Sequence, residues 1–371
     1  MKSDKISQFL QERIGAGDFP SAVYLVAEKG KLVLQNALGF AVVEPERIKA
    51  NFDTIYDLAS LTKVLVTGLL IARLIEDGDI SLDDRVSDLI PDFCSDGKRD
   101  VTILQLLTHT SHLMAWKPLY LFGLEPGHIP EEIDRTPLDP GPGSVTYSDL
   151  NFIILGNVIE RCAGKSIDAV ARMRIFTPLG LMDTYFNPPL EKLRRIAASE
   201  KGNLFERETC IEKYPELGIP SSAFRSDQIW GEVHDGNAWF MGGVAAHAGL
   251  FSTAEETFKM AQQFLPKYSA LLKPETCELF SKNFTPCANE NRSLAFQLAS
   301  TQESTAGAKM SPESFGHLGF TGTSLWIDPV NERVFVLFTN RTHHHDQPFV
   351  NINSVRRRFH DLAIEYIDQN S

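Results

Sequence analysis

Cysteine is scarce: five residues in 371, at Cys94, Cys162, Cys210, Cys277 and Cys287. They are odd in number, scattered and without a C-x-x-C pair, so they supply neither a disulfide framework nor a zinc motif and suit a reducing compartment. Long apolar runs are missing as well, the longest (around 64–74) falling short of the ~18–20 residues that a membrane span needs. The first ten residues carry two lysines but no apolar h-region or small-residue cleavage site, so a cytoplasmic protein with no membrane partner is expected. Basic residues are outnumbered, 36 Lys+Arg against 48 Asp+Glu for a net charge of −12. That balance argues against nucleic acid as a partner. The chain has no internal repeat and no low-complexity tract.

What is present is enough apolar material, 43% of residues, for one large domain or two closely packed ones. At Ser60-Leu61-Thr62-Lys63 a serine precedes a lysine by three positions, just where the apolar run Val64–Ile75 begins. Residues i and i+3 share a helix face about 5–6 Å apart, which brings the Lys63 amine over the Ser60 hydroxyl. A serine hydroxyl needs a neighbouring proton acceptor to act as a nucleophile. Burial in the apolar run is expected to lower the lysine pKa and leave part of its population neutral. The helix start also favours developing negative charge. A second Ser-x-x-Lys, Ser95-Asp96-Gly97-Lys98, lies in a polar turn with no helix to align it and is set aside.

Elsewhere the periodicity predicts an opening helix over 3–15 capped by Ser3 or Asp4, and a hairpin of 21–28 and 31–38 turning at Lys29-Gly30. The Ser60 helix should end near Gly78. A short helix capped by Thr102 follows, and five prolines across 123–143 speak against any regular element there. Helices are predicted over 149–163 and 253–264, strands over 316–320, 324–328 and 333–339, and a final helix over 350–366. Strands and helices at both ends with helices between point to an α+β sandwich. Its antiparallel sheet is built from residues 1–60 and 290–371, and a mostly helical domain, 61–289, is inserted into it.

Two more stretches carry chemistry. Tyr147-Ser148-Asp149 stops just before a helix, where it serves either as proton shuttle and acceptor or as a plain helix cap over a packed tyrosine. His317-Leu318-Gly319-Phe320-Thr321-Gly322-Thr323 joins a histidine to two glycines on a strand, marking close approach of a ligand or backbone, or a β-bulge. The rival hydrolase signature Gly-x-Ser-x-Gly is absent.

Taken together and in order, Ser60-x-x-Lys63, Tyr147-Ser148-Asp149 and His317-x-Gly319 resemble the serine β-lactamase and penicillin-binding-protein superfamily. Within it the likeness is to the branch of class C β-lactamases, DD-peptidases, D-aminopeptidases and related esterases. It covers nearly the whole chain, with Leu106–Ser111, Gly141–Gly143 and Gly319–Thr323 as further signatures. The resemblance implies that Ser60 is acylated, that Lys63 and Tyr147 share general-base and general-acid duty, and that the backbone N–H groups of Ser60 and Phe320 form an oxyanion hole. It also implies that Asp149, His317, Gly319 and Thr321 contact substrate. The chain departs from the family at Asp149 (often asparagine), at His317 (lysine in β-lactamases) and at His112 (usually glycine), which puts the shape of that helix end in question. Loss of the lysine charge favours ester, amide or peptide substrates over β-lactams, with weak β-lactamase action or a silent binding protein as alternatives. Val233–Ala238 with Ala246–Ser252 looks like a subgroup of cell-wall turnover, some of whose members release peptide from muramic acid.

No cofactor is expected. The run His343-His344-His345-Asp346 is read as a solvated loop rather than a metal site, and His109 with His112 likewise not as metal ligands. Trp116, Tyr120 and Phe122 line a pocket or pack in the core.

Overall fold

The computed structural model describes residues 5–95, 97–123, 125–139, 144–345 and 347–370. The expected caps Ser3 and Asp4, the Gly141–Gly143 signature, Asp96 of the second Ser-x-x-Lys and Asp346 lie outside the described residues.

The chain opens with helix α1 (Lys5–Gly15), strands β1 (Ser21–Glu28) and β2 (Lys31–Val42), and the short β3 (Ile48–Lys49). Lys29 and Gly30 take left-handed φ values of 50° and 75°, the conformation a two-residue hairpin turn requires and glycine supplies without cost. Strand β4 (Tyr56–Asp57) leads through Ser60 into a π-helical stretch, Lys63–Gly68, continued by α2 (Leu69–Asp77), which stops at Gly78. Further on come α3 (Asp149–Ala163), β5 (Tyr185–Phe186), α4 (Leu204–Lys213), β6 (Leu250–Ser252) and α5 (Ala254–Ala261). The chain closes with β7 (Gln297–Leu298), β8 (Phe315–Leu318), β9 (Ser324–Asp328), β10 (Arg333–Thr339) and α6 (Asn353–Asn370).

Seven strands form one antiparallel sheet in the order β3-β2-β1-β10-β9-β8-β7, so the first and last parts of the chain meet where β1 pairs with β10. Both faces of this sheet are covered. Alternate residues Tyr24, Val26, Phe335 and Leu337 pack under α1 and α6, while Val23, Leu25, Val334 and Val336 face the larger core containing α2, α3 and α5. Period-2 alternation separates the two sets, and burial on both sides explains why these strands read as continuous apolar runs. A second sheet, β4-β6-β5, braces the approach to Ser60.

Two expectations are corrected. The proline-rich stretch holds a helix, Ile129–Arg135, preceded by a 3₁₀ turn at Pro126–His128. Pro126 and Pro130 sit in the first turns, where the missing N–H would be unbonded anyway. His343 is not in a solvated loop: it is fully buried, its Nε2 accepts the Val43 N–H at 2.8 Å, and Nδ1 donates to the Ser199 carbonyl at 2.9 Å. Among the described residues no helix is long and apolar enough to cross a membrane, and no group of three His, Cys, Asp or Glu is placed to hold a metal ion.

Candidate active site

Ser60 owes its position to Asp57. This buried carboxylate accepts the N–H of Ala59 at 2.8 Å and, on its other oxygen, that of His234 at 2.8 Å, which bends the end of β4 sharply. Ala59 consequently takes φ 46°, a left-handed conformation that costs a non-glycine residue roughly 1–2 kcal/mol. The bend presents Ser60 to a cavity of about 550 Å³ whose wall also includes Tyr147, Asp149, His317, Gly319 and Phe320.

Lys63 lies behind the serine and is fully buried. Its Nζ donates to Ser60 Oγ at 3.0 Å and to the His247 carbonyl at 2.8 Å, and stands 2.6 Å from Asp149 Oδ1. The expectation of a lowered pKa is therefore overturned. Burial does pull it down, but Asp149 and Tyr147 pull harder the other way, so the amine stays above its ordinary value and remains an ammonium.

The Tyr147 phenol lies close to both Ser60 and Lys63, each of which eases its ionisation, and Lys63 Nζ stands 5.2 Å from the ring centroid. Its ring packs on His109 (centroids 4.6 Å apart) and His317 (5.7 Å). Burial raises the phenol's pKa, and the nearby Lys63 charge works against that rise. Ahead of α3, Ser148 occupies the N-cap position but makes no side-chain cap bond to the helix: it donates its hydroxyl to the Met114 carbonyl and its N–H to His109 Nδ1. His109 is neutral because burial, Arg292 and Lys63 all disfavour its charged form. His112, where the family has glycine, adopts φ 62°; the glycine-like backbone is kept.

On the far side, β8 carries His317, only 6% exposed and held neutral by burial and by the charges of Lys63 and Arg292. A side chain at Gly319 has no room: an added Cβ would lie 2.0 Å from Thr323 Oγ1 and 2.6 Å from the Leu58 carbonyl. Gly319→Ala is expected to cost about 1–3 kcal/mol of stability and, by displacing Leu58, to reduce turnover as well. Thermal melts beside ester kinetics check this, and an unshifted melting temperature contradicts it. Thr321 does not face the cavity; its hydroxyl donates to the Asp57 carbonyl at 2.7 Å, tying the strand end to the bend before Ser60. The N–H groups of Ser60 and Phe320 have no hydrogen-bond partner among the described residues, while the Phe320 carbonyl accepts from Arg341 Nε at 2.8 Å.

The motifs leave one wall unanticipated. Glu206 on α4 and Asp235, with His234 beside them, line the same cavity. Glu206 accepts the Tyr120 hydroxyl at 2.7 Å and the Gly236 N–H at 2.8 Å, so Tyr120 supports the wall rather than lining it, whereas Trp116 lines it. The stretch 233–238 held a signal for this wall; for Glu206 and Arg292, isolated charges in polar segments, no local pattern existed. Burial and the neighbouring Asp235 charge push the Glu206 carboxyl up to about 7. A carboxyl whose pKa is raised on folding stabilises the protein at low pH, and that contribution is lost as pH rises from about 4.5 through 7. Glu206→Gln is thus expected to gain up to about 3 kcal/mol over the parent at pH 8 and little at pH 4, as urea titrations at the two pH values will show; an equal gain at both contradicts the assignment.

Comparison with known proteins gives the chain's family and relatives of the same fold. The family model described as Beta-lactamase matches residues 6–355. A putative D-alanyl-D-alanine carboxypeptidase of Escherichia coli (strain K12) is 32% identical over 369 residues, spanning 92% of this chain and 82% of that protein. Among solved structures, EstCE1, a hydrolase with promiscuous acyltransferase activity, superimposes with TM-score 0.73 at 19% identity, covering 96% of this chain and 97% of its own. A class C beta lactamase from Rhodobacter sphaeroides does so with TM-score 0.72 at 17% identity, covering 98% and 99%.

Proposed function

Since this chain belongs to the beta-lactamase family of serine hydrolases, we propose that it cleaves esters or short peptides through an acyl-enzyme on Ser60. The observation that carries this reading is Ser60 in the cavity wall, its Oγ 3.0 Å from Lys63 Nζ, with Tyr147 lining the same cavity.

An ammonium has donors only and cannot take a proton. With Lys63 charged, the phenolate form of Tyr147, disfavoured by burial but favoured by the Lys63 charge, is the acceptor best placed for the Ser60 proton, and becomes the phenol on taking it. The substrate carbonyl carbon bonds to Ser60 Oγ, and its oxygen takes up negative charge between the N–H groups of Ser60 and Phe320. As the tetrahedral centre collapses, the bond to the leaving group breaks and Tyr147 returns the proton to it. Water then releases the acyl group by the same steps in reverse. Each oxyanion donor is expected to contribute about 10²–10³ in rate.

The E. coli relative's name supports peptides among the substrates, and the neutral His317 supports weak rather than strong action on anionic β-lactams. The likeness of 233–238 and 246–252 to a cell-wall turnover subgroup adds muramoyl peptides to the compounds worth assaying. A fluorophosphonate probe followed by intact-mass and peptide mapping tests the core of the proposal. One adduct on Ser60 is expected; an unmodified protein, or an adduct at another serine, removes it. Side-by-side turnover of p-nitrophenyl esters, nitrocefin, D-alanyl-D-alanine peptides and muramoyl peptides then ranks the substrate classes.

A further inference from the structure

The two expected oxyanion donors sit on separate segments, and His234, which belongs to neither, touches both. The Ser60 N–H is aimed by the bend at Asp57, and one of the two hydrogen bonds that hold the Asp57 carboxylate comes from the main-chain N–H of His234, at 2.8 Å. The Phe320 N–H lies in the turn after β8, whose hydroxyls reach back to the same bend: Thr321 donates to the Asp57 carbonyl at 2.7 Å and Thr323 to that of Leu58 at 3.0 Å. The Phe320 ring stacks on the His234 imidazole, with centroids 5.4 Å apart and planes 26° from parallel.

That imidazole is itself held from several directions. It is buried, and its Nε2 stands 2.8 Å from Glu200 Oε2. Glu200, also buried, accepts on Oε1 the Phe205 N–H and the Gln347 side-chain amide, each at 2.9 Å. The His234 carbonyl accepts from Asn203 Nδ2 at 3.2 Å and from Arg225 Nη2 at 2.6 Å, so the main chain is pinned as well. Around the Phe320 ring stand Phe205 at 4.9 Å, Phe349 at 6.0 Å and the Arg341 guanidinium at 4.9 Å, which leaves the stacked pair little room to slide. Packing alone does not call for this arrangement. A buried carboxylate and imidazole carry a desolvation cost that an apolar pair of the same volume avoids, and here they set the rotation of one ring in the cavity that holds Ser60.

We propose that His234, oriented by Glu200, is a positioning residue for the oxyanion hole: its N–H holds the bend that aims the Ser60 amide, and its ring holds Phe320 so that the second amide faces the same point. This rests on the acyl-enzyme reading above and deepens it. Displacing a catalytic group by about 1 Å forfeits up to about 10²-fold in rate. Because the oxyanion exists only as the tetrahedral centre forms, the loss falls on kcat and kcat/KM together and leaves KM in place.

The test is steady-state hydrolysis of p-nitrophenyl acetate beside inhibition by phenylboronic acid, whose tetrahedral serine adduct places an oxygen where the oxyanion would sit. Glu200→Ala and His234→Ala are expected to lower kcat and kcat/KM together by about 10–100-fold, with KM within about threefold, and to weaken phenylboronic acid by a similar factor. Glu200→Gln keeps an acceptor for Phe205 and Gln347 and sets an amide against His234 Nε2, so it is expected to stay within about threefold of wild type. Phe320→Leu removes the stacked ring and keeps the amide. Adding His234→Ala to it should cost less than His234→Ala costs alone, since the two side chains act through one contact. A rise in KM at constant kcat, unchanged activity in both alanine variants, a Glu200→Gln protein as impaired as Glu200→Ala, or strictly additive losses overturn the proposal. Where His234→Ala fails to fold, the two Glu200 variants decide. Fluorophosphonate labelling of Ser60 is read separately by intact mass. A wild type that takes no adduct fails the acyl-enzyme reading and this one with it, whereas a labelled wild type with unimpaired variants fails this one alone.

Discussion

Replacing Ser60 by alanine is expected to lower p-nitrophenyl ester turnover by at least about 10⁴-fold, since removing the nucleophile of a cooperating set costs nearly all that the set provides. The fold should be unaffected. Lys63 loses one of its acceptors but keeps Asp149 and the His247 carbonyl, and Ser60 is partly exposed to the cavity, so the change in stability is expected to stay within about 1 kcal/mol. Steady-state kinetics on protein of unchanged melting temperature is the check. Residual turnover within tenfold of wild type places the nucleophile elsewhere.

The second large effect belongs to Lys63. Lys63→Met removes the charge that favours the reactive Tyr147 phenolate and the donor that orients Ser60 Oγ, a loss of about 10²–10⁴ in rate. It also strands Asp149 beside an apolar side chain. Removing one member of a buried ion pair typically costs about 3–5 kcal/mol, and because Asp149 keeps 16% of its side chain exposed the loss should fall toward the lower end. The double variant Lys63→Met/Asp149→Asn separates these consequences. With no carboxylate left unpaired, most of the stability is expected to return while activity does not. Recovery of both would make the ion pair a structural feature alone; recovery of neither would mean that Lys63 supports the fold through its stem and its bond to His247.

The three motifs were legible because each is short and local. A serine three residues before a lysine at a helix start, a Tyr-Ser-Asp before another helix and a glycine-broken strand all carry their geometry in a few residues, and Ser60, Tyr147, Asp149, His317, Gly319 and Phe320 do line one cavity. What failed was reasoning that needed a partner distant in sequence. The Lys63 charge was misjudged because apolar neighbours along the helix were visible and Asp149 opposite was not. Thr321 read as a substrate contact, although its hydroxyl ties down Asp57. Proline density hid the helix Ile129–Arg135, since what counts is where each proline falls within a turn.

The order of its motifs and the period of its apolar residues were enough to settle this chain's membership, its two-sided sheet and the serine at its centre, because these depend on contacts within a turn or along a strand. The protonation of Lys63, the anionic wall of Asp235 and Glu206 and the hold of Glu200 on His234 were decided by tertiary structure alone. Charge states follow from which opposite or like charges packing brings within a few ångströms and how much water it removes, and neither is written in local sequence.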